Sequence, residues 1–250
     1  MMMSRTLSRR RFIATTAAGA ASLALGGMPL TLAAGRLKVV NYATYVTDRN
    51  KVNASRAEHQ VYADALRENG HLLTGGPLLG DDGRPSGVLL VYSAASPQEA
   101  ESLVLRDPFV QQGAIERYRL DEWIDVDSDA DLLAASLVPP DHRATARPTA
   151  GAAGDARRTY VGYAKFGADR SRIGVAGPSH RAYAQALKAS GQLLMAGRFT
   201  GDSGALFIYR ARSKEDALAL LQKDPYYAQE LIESYELSEW RMFGLNASLL

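Results

Sequence analysis

The sequence predicts an α+β protein made of two tandem copies of one small βαββαβ unit, packed face to face as an internal pseudo-dimer. Three observations predict it. The chain aligns on itself at an offset of 121 residues. Each copy runs through strand-like and helix-like segments in the same order. The middle strands are apolar on both faces, more than two helices on one side of a sheet can cover.

The self-alignment places Tyr42-Ala43 on Tyr163-Ala164, Asp48-Arg49 on Asp169-Arg170, His59 on His180, Tyr62-Ala63 on Tyr183-Ala184, Gly70 on Gly191 and Gly80-Asp81 on Gly201-Asp202. The second copy then lacks four residues, and at an offset of 117 the register resumes with Gly87 on Gly204, Tyr92 on Tyr209, Asp107-Pro108 on Asp224-Pro225 and Glu122-Trp123 on Glu239-Trp240. A single gap, placed in a Gly/Asp turn, marks a duplication.

In order, each copy opens with a Val-, Tyr- and Phe-rich strand, Leu37 to Val46 in the first and Thr159 to Phe166 in the second. A helix follows from about Ser55 to Asn69, its counterpart from Ser179 to Ser190, and Gly70 and Gly191 stand where a helix takes its C-terminal glycine. Two strands, Leu72 to Leu79 and Gly87 to Ser93, flank the Gly80-Asp81-Asp82-Gly83 turn. The second helix starts at the cap Ser96 with Pro97 in its first position, its counterpart starts after Ser213 without the proline, and each stops before Asp-Pro. The last strands are Ile115 to Val126 and Ile232 to Phe243. This order gives a ferredoxin-like sheet with both helices on one face. The bare face, where Leu89 and Val91 alternate with Val88, Leu90 and Tyr92, needs the sibling copy to cover it. The domains are thus 37–126 and 157–244, with an Ala-, Asp- and Pro-rich connector over 127–156.

Residues 1–34 read as a leader. Arg9, Arg10 and Arg11 precede an uncharged run from Phe12 to Leu25 and a small-residue end at Leu32-Ala33-Ala34. Ser8-Arg9-Arg10-Arg11-Phe12-Ile13 resembles the twin-arginine export motif, which implies a periplasmic or secreted protein with no stable membrane anchor after cleavage. Removing the leader takes Arg5, Arg9, Arg10 and Arg11 and none of the 27 acids, so the remaining body is slightly acidic. No Lys/Arg stripe marks a nucleic-acid surface. The chain has no cysteine, which excludes disulfides, thiolate catalysis and Cys-ligated metal centres.

Glu58-His59-Gln60-Val61-Tyr62, then Gly70-His71-Leu72-Leu73-Thr74-Gly75-Gly76-Pro77-Leu78, then Asp107-Pro108-Phe109 resemble the pattern of the YCII-related (YciI-like) domain family. The second copy repeats it as Ser179-His180-Arg181-Ala182-Tyr183, Gly191-Gln192-Leu193-Leu194-Met195-Ala196-Gly197 and Asp224-Pro225-Tyr226. The resemblance implies a dimeric α+β barrel of ferredoxin-like units with a cleft holding a His and an Asp. It also implies acid/base activity, with elimination on ring-degradation intermediates as one theme. Arg198 at the position of Pro77 and the shortened second turn depart from the pattern.

His59, Tyr62 and Leu66 share one helix face, as do His180, Tyr183 and Leu187, and this face must meet the sheet. An imidazole held there beside a carboxylate could serve as a general base or acid near neutral pH; a histidine packed against a carbonyl is the competing reading. Asp81 and Asp202, each 22 residues after its histidine, are the preferred partners, with Asp107 and Asp224 as competitors that also read as helix stops. Tyr42, Tyr163, Tyr62 and Tyr183 are weaker candidates for holding a substrate oxygen. His71 and His142 have no counterparts, no His pair has helical metal spacing, and no Gly-rich phosphate loop or Gly-x-Ser-x-Gly elbow occurs. Metal and cofactor sites are therefore not expected. Two functions remain: a cofactor-independent lyase- or isomerase-type enzyme on a small organic molecule, or a non-catalytic ligand-binding or scaffold protein. Self-association beyond the internal pair is open.

Overall fold

The structure, a computed structural model, describes residues 35–138 and 157–250; the leader and the connector's later part lie outside them. The first copy consists of β1 (Leu37–Tyr45), α1 (Arg49–Glu68), β2 (Leu72–Leu79), β3 (Pro85–Ala94), α2 (Pro97–Arg106), the short α3 (Pro108–Gln111) and β4 (Ile115–Ser128), followed by α4 (Ala130–Ala135). The second consists of β5 (Arg158–Phe166), α5 (Ile173–Ala189), β6 (Leu193–Phe199), β7 (Gly204–Ala211), α6 (Lys214–Lys223), α7 (Pro225–Ala228), β8 (Ile232–Trp240) and a short β9 (Phe243–Leu245).

The first helix of each copy starts earlier than its apolar spacing suggests. Asp48 caps α1, its side chain accepting from Asn50 N–H, so the helix gains a turn and a half before Ser55, mostly exposed apart from the buried Val52. In the second copy α5 begins at Ile173 and carries Pro178 inside it. Gly70 and Gly191 end these helices at φ +72° and +67°, which a side chain would strain. The hydroxyls of Ser96 and Ser213 cap α2 and α6 by accepting from the N–H of Glu99 and Asp216.

The strands form one sheet ordered β3-β1-β4-β6-β7-β5-β8-β2-β9, and β2 also pairs with β3, so the sheet closes into an eight-stranded barrel. The seams obey a pseudo-two-fold relation. Trp123 on β4 stands opposite Phe199 on β6, and Trp240 on β8 opposite Leu78 on β2. Close approach needs glycine there, because a Cβ at Gly76 would fall 1.8 Å from the Arg241 carbonyl oxygen and one at Gly197 would fall 2.6 Å from Trp123 Nε1. The Trp240 indole N–H donates to the Gly76 carbonyl at 3.0 Å, which satisfies its one polar atom inside the core.

Strand β3 shows why two copies are required. Val88, Leu90 and Tyr92 pack outward under α1 and α2, whereas Leu89 and Val91 point into a core shared with Val161, Leu206 and Ile208 of the other copy. Each copy covers its helical face alone, and the inner face is buried only by the partner. The connector contributes as well. Its first residues extend β4 and form α4, whose Leu133 is fully buried in the barrel, while Leu245, Leu249 and Leu250 of the C-terminal tail pack on the same core. Hence 127–138 belong to the fold and not to a linker.

Candidate functional site

His59 sits on the buried stripe of α1 with Val52, Ser55, Ala63 and Leu66. Beside it lies the junction of α2 and α3, where Asp107 ends one helix and caps the next by accepting from Phe109 N–H at 2.9 Å. The carboxylate receives the imidazole too: Nδ1 lies 2.8 and 2.9 Å from Oδ1 and Oδ2. The ring stacks on Phe109 with centroids 4.1 Å apart. The second copy repeats this arrangement, with His180 Nδ1 2.9 and 2.8 Å from the oxygens of Asp224, Asp224 capping α7 at Tyr226 N–H, and the ring stacked on Tyr226 at 4.1 Å. Because each carboxylate faces Nδ1, the neutral ring carries its proton there and presents the lone pair of Nε2. Neither Nε2 has a hydrogen bond among the described residues, and neither is among the buried unpartnered atoms, so both reach solvent. Exposure is slight: the side chains are 11% and 13% accessible.

The partner acids therefore differ from the preferred ones. Asp81 lies at the tip of the β2–β3 turn and pairs with Lys214 of the other copy at 2.5 Å, an ion pair that holds its carboxyl below the ordinary value. Asp202 pairs with Arg198 inside its own turn. Neither carboxylate is bonded to a histidine, since His59 is held by Asp107 and His180 by Asp224. The sequence did carry a signal for Asp107 and Asp224. They follow their histidines by 48 and 44 residues, a difference equal to the four-residue gap. The helix-stop reading and the partner reading are both right, since one carboxylate does both jobs.

The tyrosines divide into two pairs. Tyr62 and Tyr183 donate their hydroxyls to the carbonyls of Leu103 and Leu220 at 2.7 and 2.8 Å, fastening α1 to α2 and α5 to α6. Burial, with Asp224 adding to it, pushes Tyr183 up to about 12, so its hydroxyl remains a donor. Tyr42 and Tyr163 meet edge to face at 5.4 Å on the pseudo-two-fold axis. The Arg119 guanidinium lies 4.6 and 4.2 Å from their ring centres and donates to Glu236 at 2.6 Å. The Tyr163 hydroxyl donates to Asp121 at 2.6 Å. Repeat spacing alone did not reveal this cluster, because Arg119 and Glu236 occupy equivalent positions of the two copies with opposite charge.

Burial pushes the Asp121 carboxyl up, against the Tyr163 hydrogen bond and the Arg119 charge. The folded state then binds that proton more tightly than the unfolded chain does. Its contribution to stability is full below the ordinary carboxylate range and is lost as pH rises through the raised value. Asp121→Asn, which keeps an acceptor for Tyr163, is expected to raise the melting temperature at neutral pH and leave it unchanged in acid. Melting curves at the two pH values check this, and a lower midpoint at neutral pH would contradict it.

Among the described residues no group of three or more His, Asp or Glu side chains could hold a metal ion.

Comparison with solved structures places the fold. A proposed monooxygenase from Fusobacterium nucleatum superposes with a TM-score of 0.51 at 9% identity, over 85% of this chain and 94% of that one. A chlorite dismutase variant from Candidatus Nitrospira defluvii, in complex with cyanide, gives 0.50 at 12%, over 85% and 93%. At these identities the likeness is one of fold, the dimeric α+β barrel. A 5-chloro-2-hydroxyhydroquinone dehydrochlorinase from Burkholderia phenoliruptrix, in complex with 2,5-dihydroxybenzoquinone, is 27% identical over 34% of this chain and 92% of its own, with a TM-score of 0.31. No curated protein matches the chain. The model of the YCII-related domain matches residues 37–124 and again 162–241, two regions that together span most of the chain and each contain one His–Asp pair. The chain therefore belongs to the YCII-related domain family, with two tandem copies in one polypeptide.

Proposed function

We propose that the protein is a cofactor-independent acid/base enzyme of lyase or isomerase type acting on a small organic molecule, with His59 and His180 as the proton-moving groups. Asp107 and Asp224 fix the tautomer and orientation of each ring and stabilise the imidazolium once Nε2 has taken a proton. One observation carries this reading: both copies retain the same Nδ1 clamp and the same aromatic stack, with Nε2 left unpartnered, although their turns have diverged. A packing histidine needs one partner and no open second nitrogen.

A second reading, a non-catalytic ligand-binding or scaffold protein, is favoured by the low exposure of His59, 8% for the whole residue. Proton exchange separates the two. In D2O, a panel of enolisable keto acids and halogenated hydroxyaromatic compounds is incubated with the protein and followed by NMR. Carbon–hydrogen exchange or halide release is expected, falling by at least about 100-fold in the His59→Gln/His180→Gln variant, within the range of acid/base contributions. Undiminished turnover in that variant excludes these histidines. Saturable ligand shifts without turnover select the second reading.

The export signal read in residues 1–34 motivates the further proposal that the protein acts in the periplasm or outside the cell. N-terminal sequencing of the exported protein is expected to begin near Gly35; a start at Met1 contradicts cleavage. Among the described residues no helix is long and apolar enough to cross a membrane.

A further inference from the structure

A cleft of about 1580 Å³ opens between the two copies. Its walls are the first turns of α1 and the β2–β3 turn on one side, and the start of β5 with the β7–α6 junction on the other. Seven basic side chains line it against four acidic ones, in a chain whose body is slightly acidic.

Three of the cations are neutralised: Arg158 by Glu239 at 3.1 Å, Lys214 by Asp81 at 2.5 Å and Arg212 by Asp216 at 2.9 Å. The other four, Arg49, Arg56, Arg84 and Arg241, have no carboxylate within ion-pair distance among the described residues. Arg49 donates to the Pro85 carbonyl and Arg56 to Asn53 Oδ1 at 2.9 Å. Four guanidiniums gathered around one cavity repel one another, and the fold recovers no ion pair from holding them there.

The duplication supplies a control within the same molecule. At the repeat register Arg56 corresponds to Gly177 and Arg241 to Ile124, while Arg84 falls in the stretch where the second copy is four residues shorter. Only Arg49 has a basic counterpart, Arg170, and that side chain is turned onto the carbonyls of Gly167 and Gly201. In the second copy the space beside Gly177 is taken by Arg181. The fold therefore does not require these arginines, since a copy without three of them forms the same elements.

We propose that this cleft binds a small polyanion, a molecule carrying two or more carboxylate or phosphate groups. Guanidinium forks match both groups bidentately, and the first turn of α1 adds its partial positive charge. The cleft adjoins the first dyad. Arg56 lies one helical turn before His59, and Tyr45, flanked by Arg49, Arg56 and Asp107, packs edge to face on Phe109 at 5.1 Å. The inference goes beyond the acid/base reading and stands whether or not His59 transfers a proton, because its test reads binding alone.

Isothermal titration of the full chain with tricarballylate and, separately, with inorganic pyrophosphate provides the test. One saturable site per chain is expected for at least one probe, with Kd below roughly 1 mM in about 150 mM salt. A response to the first probe alone identifies a carboxylate ligand, and to the second alone a phosphate ligand. Arg56→Gln/Arg84→Gln, which alters side chains outside the core, is expected to weaken binding at least about tenfold, the equivalent of one lost charge-assisted hydrogen bond. Arg170→Gln is expected to leave it unchanged. The proposal is overturned if neither probe saturates, if the double variant binds as well as the parent with an unchanged melting curve, or if Arg170→Gln weakens binding equally.

Discussion

Replacing Asp107 by alanine is expected to lower stability by about 2–4 kcal/mol, the combined size of a lost helix cap and a buried donor left without its partner. Asp107 is 3% exposed, and three features converge on it: it ends α2, caps α3 through Phe109 N–H, and receives Nδ1 of His59. With alanine the cap is lost, and the buried Nδ1–H has no acceptor. Asp107→Asn should cost less, because the amide oxygen still accepts from Phe109 N–H and the imidazole can change tautomer to face the amide nitrogen. Asp81→Ala, removing an exposed turn carboxylate, should leave the unfolding midpoint unchanged. Urea unfolding of the three variants measures all of this. If Asp107→Ala and Asp81→Ala unfold at the same midpoint, Asp107 is not the residue that organises the site.

Charge reversal at the pseudo-two-fold axis should have an effect of similar size. Arg119→Glu sets a second carboxylate against Glu236 and withdraws the cation from the faces of Tyr42 and Tyr163. Each cation–π contact is worth about 0.5–1 kcal/mol. The ion pair is partly open to solvent, so its share is discounted, and the expected loss is about 2–3 kcal/mol. Because positions 119 and 236 are equivalent in the two copies, Arg119→Glu combined with Glu236→Arg places the cation over the same two rings from the opposite strand. The double variant should regain more than half of the loss, a coupling that a thermodynamic cycle reads directly. Additive losses would mean that the two side chains do not interact. Only a fused chain can use this arrangement. Two identical domains would bring like charges together at the axis, whereas a duplicated gene can carry Arg in one copy and Glu in the other.

Local pattern decides what lies close in sequence. The glycine ends of α1 and α5, the serine caps of α2 and α6, and the strands of β2 and β3 stand where residue types with specific backbone demands stand, because the chain reads those demands over a few residues. The start of α1 is less legible, because Val52 is the one buried residue between Arg49 and Ala54 and apolar spacing does not mark the turns before Ser55. The site follows the same division. A histidine on a buried helix stripe is visible from spacing, but spacing does not choose between Asp81 at the hairpin tip and Asp107 at the helix stop, and the tertiary path of α2 and α3 brings Asp107 across.

By itself the sequence determined the duplication, the order of elements in each copy and the need for an apolar sheet face to be covered. Periodicity and repeat register are properties of the chain as a string. The tertiary structure alone decided that the covering takes the form of a closed barrel with Leu133 buried in its core and the C-terminal leucines packed against it, that Asp107 and Asp224 hold the imidazoles, and that the charges of two unlike copies collect into one basic cleft. Those outcomes depend on which strand edges meet and which helix ends face each other. Residues brought together from opposite copies leave no spacing between them to read.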